Sequence, residues 1–356
     1  MLKTNKRIEI VRSTKTWLSS MSQESCDAIF AVLNENYLDV RISTVNDLAD
    51  LKSLVSRKPD LVFLGMKFIP DDNTTYSQHS SKIWITEYLD DYGIAYTGSN
   101  KIAHERSVDK GLAKERMVSA GVNTSSYFIV SQNQLSTLQA MPSDLDFPLF
   151  VKPSNRGGGL GIDSKSVVNT QIELEAKVRS IARDLGSDSL LEKYLPGREF
   201  SVAILKFEST GLLVPMPIEL IAQPDEQGIR ILSQQVKLSN SEQARVVNDP
   251  VLKATINELA LSAFYALGGR DYGRIDIRLD EKGIPNFLEA NLIPSLISGY
   301  GSFPKACDLN SSMSFEMMIL NIAELAFSHN SFEAEALIET SSEASVAISP
   351  DILAYS

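Results

Sequence analysis

A chain of 356 residues is long enough to form two or three domains with ample hydrophobic cores. Lysine and arginine total 34 and aspartate and glutamate total 45, which gives a net charge of −11. Surfaces that bind nucleic acid need excess positive charge, so this balance argues against nucleic acid as the main partner. Hydrophobic residues make up 43% of the chain, as is typical of globular proteins.

The cysteines and the apolar patterning point to a cytosolic protein. Cys26 and Cys307 lie far apart and form no metal-binding spacing, which indicates reduced thiols. The first residues, MLKTNKRIEIVRS, carry charges but lack the apolar run of a signal peptide. No segment approaches the roughly 20 apolar residues of a membrane span. These features predict a cytoplasmic chain with no membrane partner.

The N-terminal part of the chain alternates strand-like and helix-like patterns. Strands are predicted at residues 7–11, 39–42, 60–64 and 94–97, and helices at 22–37, 45–56 and 80–92. This order predicts a parallel sheet with helices on its faces. No GxGxxG fingerprint follows the first strand, which disfavours the alternative of a Rossmann-type dehydrogenase.

The middle of the chain changes to shorter elements. A single helix is predicted over residues 99–121, and the elements after it are strands at 127–131 and 147–152, a helix at 170–185 and strands at 189–195, 199–206 and 212–221. Pro196-Gly197 separates two extended segments and predicts an interdomain hinge. Asp249 and Pro250 form a good cap and first turn for a helix ending at Leu267. A final helix is predicted over 312–327.

A glycine-rich segment, KPSNRGGGLGI at residues 152–162, lies between two predicted strands. Its backbone N–H groups can approach and cradle phosphate oxygens. It is not a Walker loop, because no Gly-Lys-Ser/Thr follows. A mobile glycine turn is the alternative interpretation, and Lys152 is also compatible with a solubilising role on an edge strand.

The segment DYGRIDIRLDEKGIPNFLEANLIPS, residues 271–295, predicts a hairpin with its turn at residues 280–283. Apolar residues alternate along both strands and are expected to form one core-facing row: Ile275, Ile277, Leu279, Leu288, Ala290 and Leu292. The opposite face would then carry Arg274, Asp276, Glu289 and Asn291. Carboxylate and amide oxygens of this kind suit Mg²⁺. The alternative is a solvated sheet face with ordinary charge pairs.

Five separated segments occur in an informative order: IAYTGSN with SVDKGLAKERMVSAGV, FPLFVKPSNRGGGLGI, LLEKYLPGREFSVAIL, the hairpin, and GYGSFPKA. In this order they resemble the ATP-grasp superfamily, and within it the D-alanine–D-alanine ligase branch, over residues 94–327. The resemblance implies an α/β protein with a Rossmann-like parallel-sheet domain followed by the two-lobed ATP-grasp fold.

The expected units are residues 1–98, a central lobe at 99–192 with the glycine loop, and a C-terminal lobe at 193–330 with the metal site. Residues 331–356, rich in Ser, Glu and Ala, are expected to form a weakly packed tail.

The resemblance also implies roles for individual residues. ATP phosphates would be held by Lys110, Lys152 and Lys237, with Gly157, Gly158, Gly159 and Gly161 closing over them. Glu192 would accept from the adenine amino group, Lys193, Tyr194 and Leu195 would line the adenine slot, and Glu199 would bind the ribose. On composition alone, Glu192 and Glu199 are better interpreted as solvated charges. Two Mg²⁺ ions, with Mn²⁺ as an alternative, would be held by Asp276, Glu289 and Asn291. Arg274 would stabilise the reacting phosphate or carboxylate.

The implied activity is that of an ATP-dependent carboxylate–amine ligase. ATP would phosphorylate a carboxylate, and an amine would attack the acyl phosphate to form an amide with release of ADP and phosphate. The expected substrates are small carboxylates and amines, in particular amino acids. Dimers are common in the family, so a homodimer is expected by analogy alone.

Three departures from the family pattern bear on the substrates. Residues 65–81, GMKFIPDDNTTYSQHSS, lack the family's His-Gly…Gly-Glu-Asp-Gly loop, and His79 stands at a different place. The family's Ser-Ser in the phosphate loop is Gly158-Gly159, and the Gly of Asn-x-x-Pro-Gly, which contributes to the oxyanion hole, is Ser295. We therefore predict a ligase of specialised or dipeptide biosynthesis. The alternatives are a genuine D-alanine–D-alanine ligase, a mycosporine-type imine-forming ligase and a non-catalytic ATP-binding regulator.

Overall fold

The computed structural model of the chain describes residues 3–71, 80–132, 134–224, 228, 230–239 and 241–329. The predicted tail at 331–356 and His79 lie outside the described residues. Within the part described, no helix has both the length and the apolar character needed to cross a membrane.

The N-terminal unit is a parallel sheet flanked by helices, as predicted. Its elements are β1 (Thr4–Arg12), α1 (Gln23–Asn36), β2 (Tyr37–Thr44), α2 (Leu48–Ser56), β3 (Leu61–Leu64), β4 (Phe68–Pro70), β5 (Lys82–Trp84), α3 (Ile85–Asp91) and β6 (Ala95–Tyr96). The strand order is β2-β1-β3-β6, and all three pairs are parallel. The four residues of β3 are buried because helices cover both faces of the sheet. The short strands β4 and β5 form a separate antiparallel pair.

Two helices, α4 (Lys101–Val108) and α5 (Lys110–Ser119), replace the single helix predicted over 99–121. That prediction was wrong because Asp109 adopts an extended conformation between them. Its side chain accepts hydrogen bonds from the N–H groups of Gly111 and Leu112, so it caps a new helix. The break places Lys110 in the first turn of α5 rather than in the middle of a long helix.

A four-stranded antiparallel sheet follows, with its core on one face. Its elements are β7 (Tyr127–Val130), β8 (Leu149–Pro153), β9 (Val167–Val168), α6 (Gln171–Leu185) and β10 (Ser189–Lys193), with short 3₁₀ helices at Leu135–Ala140 and Ser164–Ser166. The strand order is β7-β10-β8-β9. Val151 and Leu191 pack against Leu174 and Val178 of α6, and all four are buried. Apolar side chains recurring along one face of α6 therefore fix the helix on the sheet.

The C-terminal part is a five-stranded antiparallel sheet covered by helices. Its elements are β11 (Glu199–Lys206), β12 (Leu213–Ile221), α7 (Gln234–Ser239), β13 (Gln243–Val246), α8 (Pro250–Leu267), β14 (Tyr272–Leu279), β15 (Pro285–Asn291), α9 (Ser302–Ser311) and α10 (residues 315–329). The strand order is β13-β12-β11-β14-β15. Asp249 caps α8 by accepting from the N–H groups of Val251 and Leu252, as predicted.

Helices α5 and α8 share one hydrophobic core on the C-terminal sheet, and the small antiparallel sheet has a separate core. Ala113 and Met117 of α5 share a buried cluster with Ala260 and Phe264 of α8. The helix pair therefore packs on the C-terminal sheet, while the small antiparallel sheet keeps a core of its own. The domain boundaries proposed from the sequence stay predictions.

The small sheet is tied to the β14–β15 hairpin at both of its chain connections. At its entry, the Phe287 N–H donates to the Asn123 carbonyl at 2.8 Å, and the Thr124 hydroxyl donates to the Phe287 carbonyl at 2.9 Å. At its exit, the Gly197 N–H donates to the Leu279 carbonyl at 3.0 Å. The exit is the Pro196-Gly197 segment that the sequence predicts to be a hinge.

We expect Gly197→Ala to destabilise the protein by about 1–3 kcal/mol, since a Cβ there would lie 2.5 Å from the Leu279 carbonyl oxygen. Gly157→Ala is the matched control, because no atom lies within 4 Å of a Cβ at that position and its φ is not positive. Chemical denaturation of both variants measures the difference. Equal stabilities of the two variants would contradict the close approach at Gly197.

Candidate active site

The β14–β15 hairpin brings four polar side chains to one face, as the alternation predicts. In the antiparallel ladder Asp276 pairs with Glu289 and Arg274 pairs with Asn291. Directly opposite residues of such a ladder project their side chains to the same face of the sheet. The Asp280–Gly283 turn is also confirmed, with the Gly283 N–H donating to the Asp280 carbonyl at 3.1 Å.

One residue of β15 breaks the predicted alternation. The register shifts between Asp276 and Ile277, so that Ile277 pairs with Phe287 and Leu288 is the extra residue of a bulge. Phe287 is fully buried in the core, while Leu288 lines the pocket described below. The prediction that Leu288 faces the core was therefore wrong. The bulge places an apolar side chain and the Glu289 carboxylate side by side on the same face.

The Asp276 carboxylate is held by two neighbours on the sheet. The Arg274 guanidinium donates to both of its oxygens, with Nε–Oδ1 and Nη2–Oδ2 distances of 2.9 Å. The Ser201 hydroxyl of β11 donates to Oδ1 at 2.8 Å. Asp276 is buried, so this bidentate pair and the hydroxyl supply the hydrogen bonds that a buried carboxylate requires.

Lys110 reaches the hairpin from the first turn of α5. Its Nζ lies 3.5 Å from Glu289 Oε2 and donates to the Arg156 carbonyl at 2.5 Å. Burial lowers the pKa of Lys110, and the charge of Glu289 partly offsets this effect. The helix break at Asp109 is what directs this lysine toward the β15 carboxylate.

The Glu192 carboxylate of β10 lies between two buried ammonium groups. Lys114 Nζ lies 2.8 Å from Oε1, and Lys152 Nζ lies 2.6 Å from Oε2. Burial by itself raises the pKa of Glu192, but the charges of Lys114 and Lys152 outweigh it and lower the pKa below its usual value. The interpretation of Glu192 as a solvated charge was wrong, since only 2% of the residue is exposed.

The structure also excludes one of the two roles predicted for Lys152. It lies on β8, between β10 and β9, and only 4% of the residue is exposed. An edge-strand solubilising role is therefore excluded. Burial lowers the pKa of Lys152, but the charge of Glu192, followed by that of Glu289, raises it above its usual value.

A pocket is lined by several of these side chains. Its lining includes Lys193, Tyr194 and Leu195, which were predicted to line an adenine slot. It also includes Asp276 and Glu289 of the hairpin. The rest of the lining consists of Ser125, Phe150, Lys152, Ile162, Glu192, Glu199, Ile231, Leu232, Arg278 and Leu288. The mixed apolar and polar lining is typical of sites for small ligands.

Glu199 lies at the pocket wall and forms an ion pair that the sequence did not reveal. Arg278 Nη1 lies 3.0 Å from Glu199 Oε2, and the guanidinium lies 5.7 Å from the centre of the Tyr194 ring. Arg278 thereby orders two residues predicted to bind the nucleoside.

The glycine loop stands at the rim of the pocket. Ile162 lines the pocket, whereas Gly157 and Gly158 are exposed and Gly159 is buried. Gly158, Gly159 and Gly161 have φ values of +65°, +77° and +78°, which favour glycine over any residue with a Cβ. Two turns shape the loop, with the Leu160 N–H donating to the Gly157 carbonyl and the Ile162 N–H to the Gly159 carbonyl. The role of the loop over phosphates stays a prediction.

The donor set on the hairpin fits a divalent cation. Asp276 and Glu289 offer carboxylate oxygens, and Asn291 adds an amide oxygen that also accepts from the Ile293 N–H at 3.2 Å. Hard oxygen donors on neighbouring strands are the ligands that Mg²⁺ prefers. Within the described part of the chain, no group of three or more His, Cys, Asp and Glu side chains forms a metal cluster. A third ligand from Asn291 is compatible with this finding, because amides are not among those residue types.

Ser295 is not among the described residues that line the pocket, and neither are Lys110, Arg274, Asn291 and the four predicted loop glycines. Ser295 follows β15 and is half-buried, with its carbonyl 3.2 Å from the position of a Cβ built on Gly301. Lys237 belongs to α7, but its side chain lies outside what the structure describes. Their predicted roles stay predictions.

Comparison with known proteins identifies the family. The family model “D-ala D-ala ligase C-terminus” matches residues 117–324. The D-alanine–D-alanine ligase of Hydrogenovibrio crunogenus is 31% identical over 242 residues, which span 67% of this chain and 71% of that protein. The chain belongs to the D-alanine–D-alanine ligase family. It is accordingly an ATP-grasp ligase that forms C–N bonds.

Relatives and solved structures of the D-alanine–D-alanine ligase family extend this result. An uncharacterised protein of Sinorhizobium fredii is 29% identical over 240 residues, which span 66% of this chain and 67% of that protein. The D-alanine–D-alanine ligase from Bacillus anthracis complexed with ATP has a TM-score of 0.70 at 22% identity, covering 93% of this chain and 100% of that chain. The VanG D-Ala:D-Ser ligase from Enterococcus faecalis has a TM-score of 0.69 at 20% identity, covering 91% and 100%. The predicted ATP-grasp fold is confirmed.

Three cations of this ligase were missed by sequence reasoning. Arg278 follows Asp276 by two residues on β14, so strand alternation alone could have placed it on the same face. Lys114 follows Lys110 by four residues on α5, and helical spacing predicts that the two share a side. Lys67, in the loop between β3 and β4, carries no such signal, and only the fold brings it near the hairpin.

Proposed function

We propose that this ligase couples the hydrolysis of ATP to the joining of a carboxylate and an amine, with substrates other than two D-alanines. The observation that carries the proposal is a pocket whose lining combines apolar side chains with the buried Lys152 and the carboxylates of Asp276 and Glu289. Such a pocket can hold an adenine base at one end and neutralise a triphosphate at the other. Specialised or dipeptide biosynthesis is the proposed setting.

The nucleotide end of the site is proposed to bind ATP through its apolar walls and its lysines. Tyr194 and Leu195 would enclose the base, and Glu199, oriented by Arg278, would accept hydrogen bonds from the ribose hydroxyls. Lys110 and Lys152 are buried, so an anion between them would be neutralised in a medium that screens charge weakly. Glu192 would hold Lys152 in place besides accepting from the adenine amino group.

Asp276, Glu289 and Asn291 are proposed to hold two Mg²⁺ ions, with Mn²⁺ as an alternative. Bound there, the metal would supply positive charge that offsets the negative charge of the phosphate groups. Contacts within the protein support this assignment. Arg274 orients the Asp276 carboxylate through a bidentate pair, and Lys110 contacts Glu289 through a single ion pair.

The proposed chemistry has two steps in which atoms and charges balance. A substrate carboxylate oxygen attacks the γ-phosphorus of ATP, the bond to the β-phosphate oxygen breaks, and ADP leaves. The nitrogen of a neutral amine then attacks the carbonyl of the acyl phosphate, the C–O bond to phosphate breaks, and the proton that the nitrogen loses goes to the departing phosphate as the amide forms. Arg274 and Lys110 would offset the negative charge that develops at the phosphoryl oxygens and at the carbonyl oxygen.

The amino-acid side of the site supports substrates other than two D-alanines. The segment that departs from the family pattern begins at Gly65, and Ser295 replaces the family's glycine after Asn291 and Pro294. A residue with a Cβ at position 295 restricts the backbone that would present its N–H to an oxyanion. A genuine D-alanine–D-alanine ligase is the second candidate, because the named relatives carry that activity.

We expect ADP release in the presence of ATP and Mg²⁺ when the ligase is offered the right pair of amino acids. The assay measures ADP for D- and L-amino acids, singly and in pairs, and mass spectrometry identifies each product as an amide or an imine. A thermal melt with ATP–Mg²⁺ in place of the acids measures nucleotide binding independently. Turnover with D-alanine and with no other substrate would overturn the proposed specificity. Stabilisation by ATP–Mg²⁺ without any turnover would favour a non-catalytic regulator.

A further inference from the structure

Arg278 lies opposite Glu199 in the C-terminal sheet, on the face that also carries Asp276. In the ladder between β11 and β14, Glu199 pairs directly with Arg278, and the next pair on the same face joins Ser201 to Asp276. Arg278 is 8% exposed, and both it and Glu199 line the pocket. The register of the two strands therefore places a guanidinium and a carboxylate side by side in the pocket lining.

All three nitrogens of the Arg278 guanidinium donate hydrogen bonds within the protein. Nε donates to the Gly197 carbonyl at 3.2 Å, Nη1 to Glu199 Oε2 at 3.0 Å and Nη2 to the Arg230 carbonyl at 3.1 Å. The guanidinium carbon also lies 5.7 Å from the centre of the Tyr194 ring. A planar guanidinium that is bound at every nitrogen has a fixed orientation, and it fixes the Glu199 carboxylate in turn.

The acceptors of this guanidinium belong to three separate segments that reach the pocket. Gly197 lies two residues after Leu195, and Glu199 is the first residue of β11. Arg230 directly precedes Ile231, which is buried. Leu195, Glu199 and Ile231 all line the pocket. A single side chain of β14 therefore joins parts of the lining that come from different elements of the fold.

The Arg278–Glu199 pair has a surface counterpart of the same chemistry. Arg198 donates to both oxygens of Glu219 at 2.8 and 2.7 Å, and its guanidinium carbon lies 5.2 Å from the centre of the Phe200 ring. Arg198 is exposed and is not among the described residues that line the pocket. Burying an ion pair removes hydration from both charges, so stability alone does not account for a buried pair in the pocket lining.

We propose that Arg278 determines a preference of the site for a ribonucleotide over a 2′-deoxyribonucleotide. This inference rests on the proposed function, in which Glu199 accepts hydrogen bonds from the ribose. By holding one oxygen of Glu199, Arg278 orients the carboxylate as an acceptor for the ribose hydroxyls. A carboxylate that is fixed before the nucleotide binds loses less side-chain freedom on binding, so its hydrogen bonds contribute more to affinity. Arg278 acts through Glu199 and is therefore a positioning residue.

The test compares Arg278→Met, which removes the guanidinium, with Arg278→Lys, which keeps a charge but loses the planar fork. Arg198→Met is the matched control, since it breaks the same kind of ion pair outside the pocket. Isothermal titration calorimetry measures the Kd of ADP and of 2′-deoxy-ADP, each with Mg²⁺, for every protein. This measurement needs no amino acid and is independent of which acids the ligase joins. The KM of ATP and kcat in the ADP assay are the second readout.

We expect the wild type to bind ADP about 10- to 100-fold more tightly than 2′-deoxy-ADP, as for the loss of a hydrogen bond to a charged group. Arg278→Met should bind ADP more weakly and lose most of this ratio, and Arg278→Lys should keep part of it. Arg198→Met should keep all of it. Arg278→Met should also raise the KM of ATP with little change in kcat, because its hydrogen bonds go to Glu199 and to two backbone carbonyls rather than to Asp276 or Glu289.

The outcomes separate this inference from the proposed function. ADP binding with the same ratio of Kd values in the wild type and in Arg278→Met would overturn the role of Arg278 and leave nucleotide binding standing. Equal Kd values of the two nucleotides for the wild type would also overturn it. Absence of ADP binding by the wild type would overturn the proposed function and this inference together. If circular dichroism shows that Arg278→Met does not fold, Arg278→Lys decides: a reduced ratio supports the role, and the wild-type ratio overturns it.

Discussion

Glu289→Gln should lower kcat/KM for ADP formation by about 10²- to 10³-fold, the loss typical of removing one preorganised electrostatic contact. The glutamine keeps the volume of the side chain but removes the negative charge that faces Asp276 across the ladder and Lys110 at 3.5 Å. One proposed ligand of the metal is thereby weakened, and Lys110 loses its counter-charge. Steady-state ADP release at saturating Mg²⁺ measures the effect.

Glu281→Gln is the matched control for this variant. Glu281 belongs to the same hairpin, in the exposed turn, and should give normal activity. Circular dichroism and thermal melting of both variants establish whether the fold is retained. A Glu289→Gln enzyme with near-normal turnover would show that the metal and phosphate assignments on the hairpin are wrong.

Glu192→Gln should be the most destabilising single change of a charge in the site. It leaves Lys114 and Lys152 buried without their shared counter-charge, and breaking a buried pair in this way costs about 3–5 kcal/mol. The double variant Glu192→Gln/Lys114→Met should recover part of this loss, because one of the two unbalanced charges is then removed. Urea unfolding of both variants and of exposed Glu115→Gln on α5 measures the free energies.

The lowered pKa of Glu192 also makes the stability of the folded protein depend on pH. The pKa in the folded state is lower than in the unfolded chain, so the carboxylate stabilises the fold above the unfolded pKa of about 4.3. That contribution is lost as the pH falls through the lowered folded-state pKa. As the pH falls below the unfolded pKa, the stability of the wild type should therefore fall more steeply than that of Glu192→Gln. Parallel acid-unfolding curves would contradict the assignment of the charge to Glu192.

Strand alternation predicted the polar face of the hairpin because both of its strands pack on one core. Arg274, Asp276, Glu289 and Asn291 follow from a period of two residues and a tight turn, which are local properties of the chain. The face on which Leu288 lies could not be predicted in this way, since the bulge that moves it to the pocket is set by the packing of Phe287 against the core. A bulge leaves no mark in the hydrophobic pattern other than two apolar residues in a row.

The network around Glu192 could not be predicted from spacing. Lys114 and Lys152 lie on a helix and a strand that meet β10 only in the folded protein. Composition favours solvated positions for charged residues in general, because burying an isolated charge is costly. Composition cannot reveal that two cations on different elements lie beside one carboxylate in the folded protein and balance its charge. The helix break at Asp109 was missed for a related reason, since an Asp inside a helical pattern is equally compatible with an exposed helix interior.

The two hydrogen-bonded connections of the small sheet to the β14–β15 hairpin lie at the same end of that sheet. This is the Lys193 end of β10, whereas the glycine loop follows Pro153 at the opposite end. A movement of the sheet about these connections would displace the loop more than the proposed adenine slot. The loop end is held by Lys110, whose N–H donates to the Ser154 carbonyl and whose Nζ donates to the Arg156 carbonyl. Any opening of the sheet at this end would therefore have to break two hydrogen bonds of Lys110, one from its backbone and one from its ammonium group.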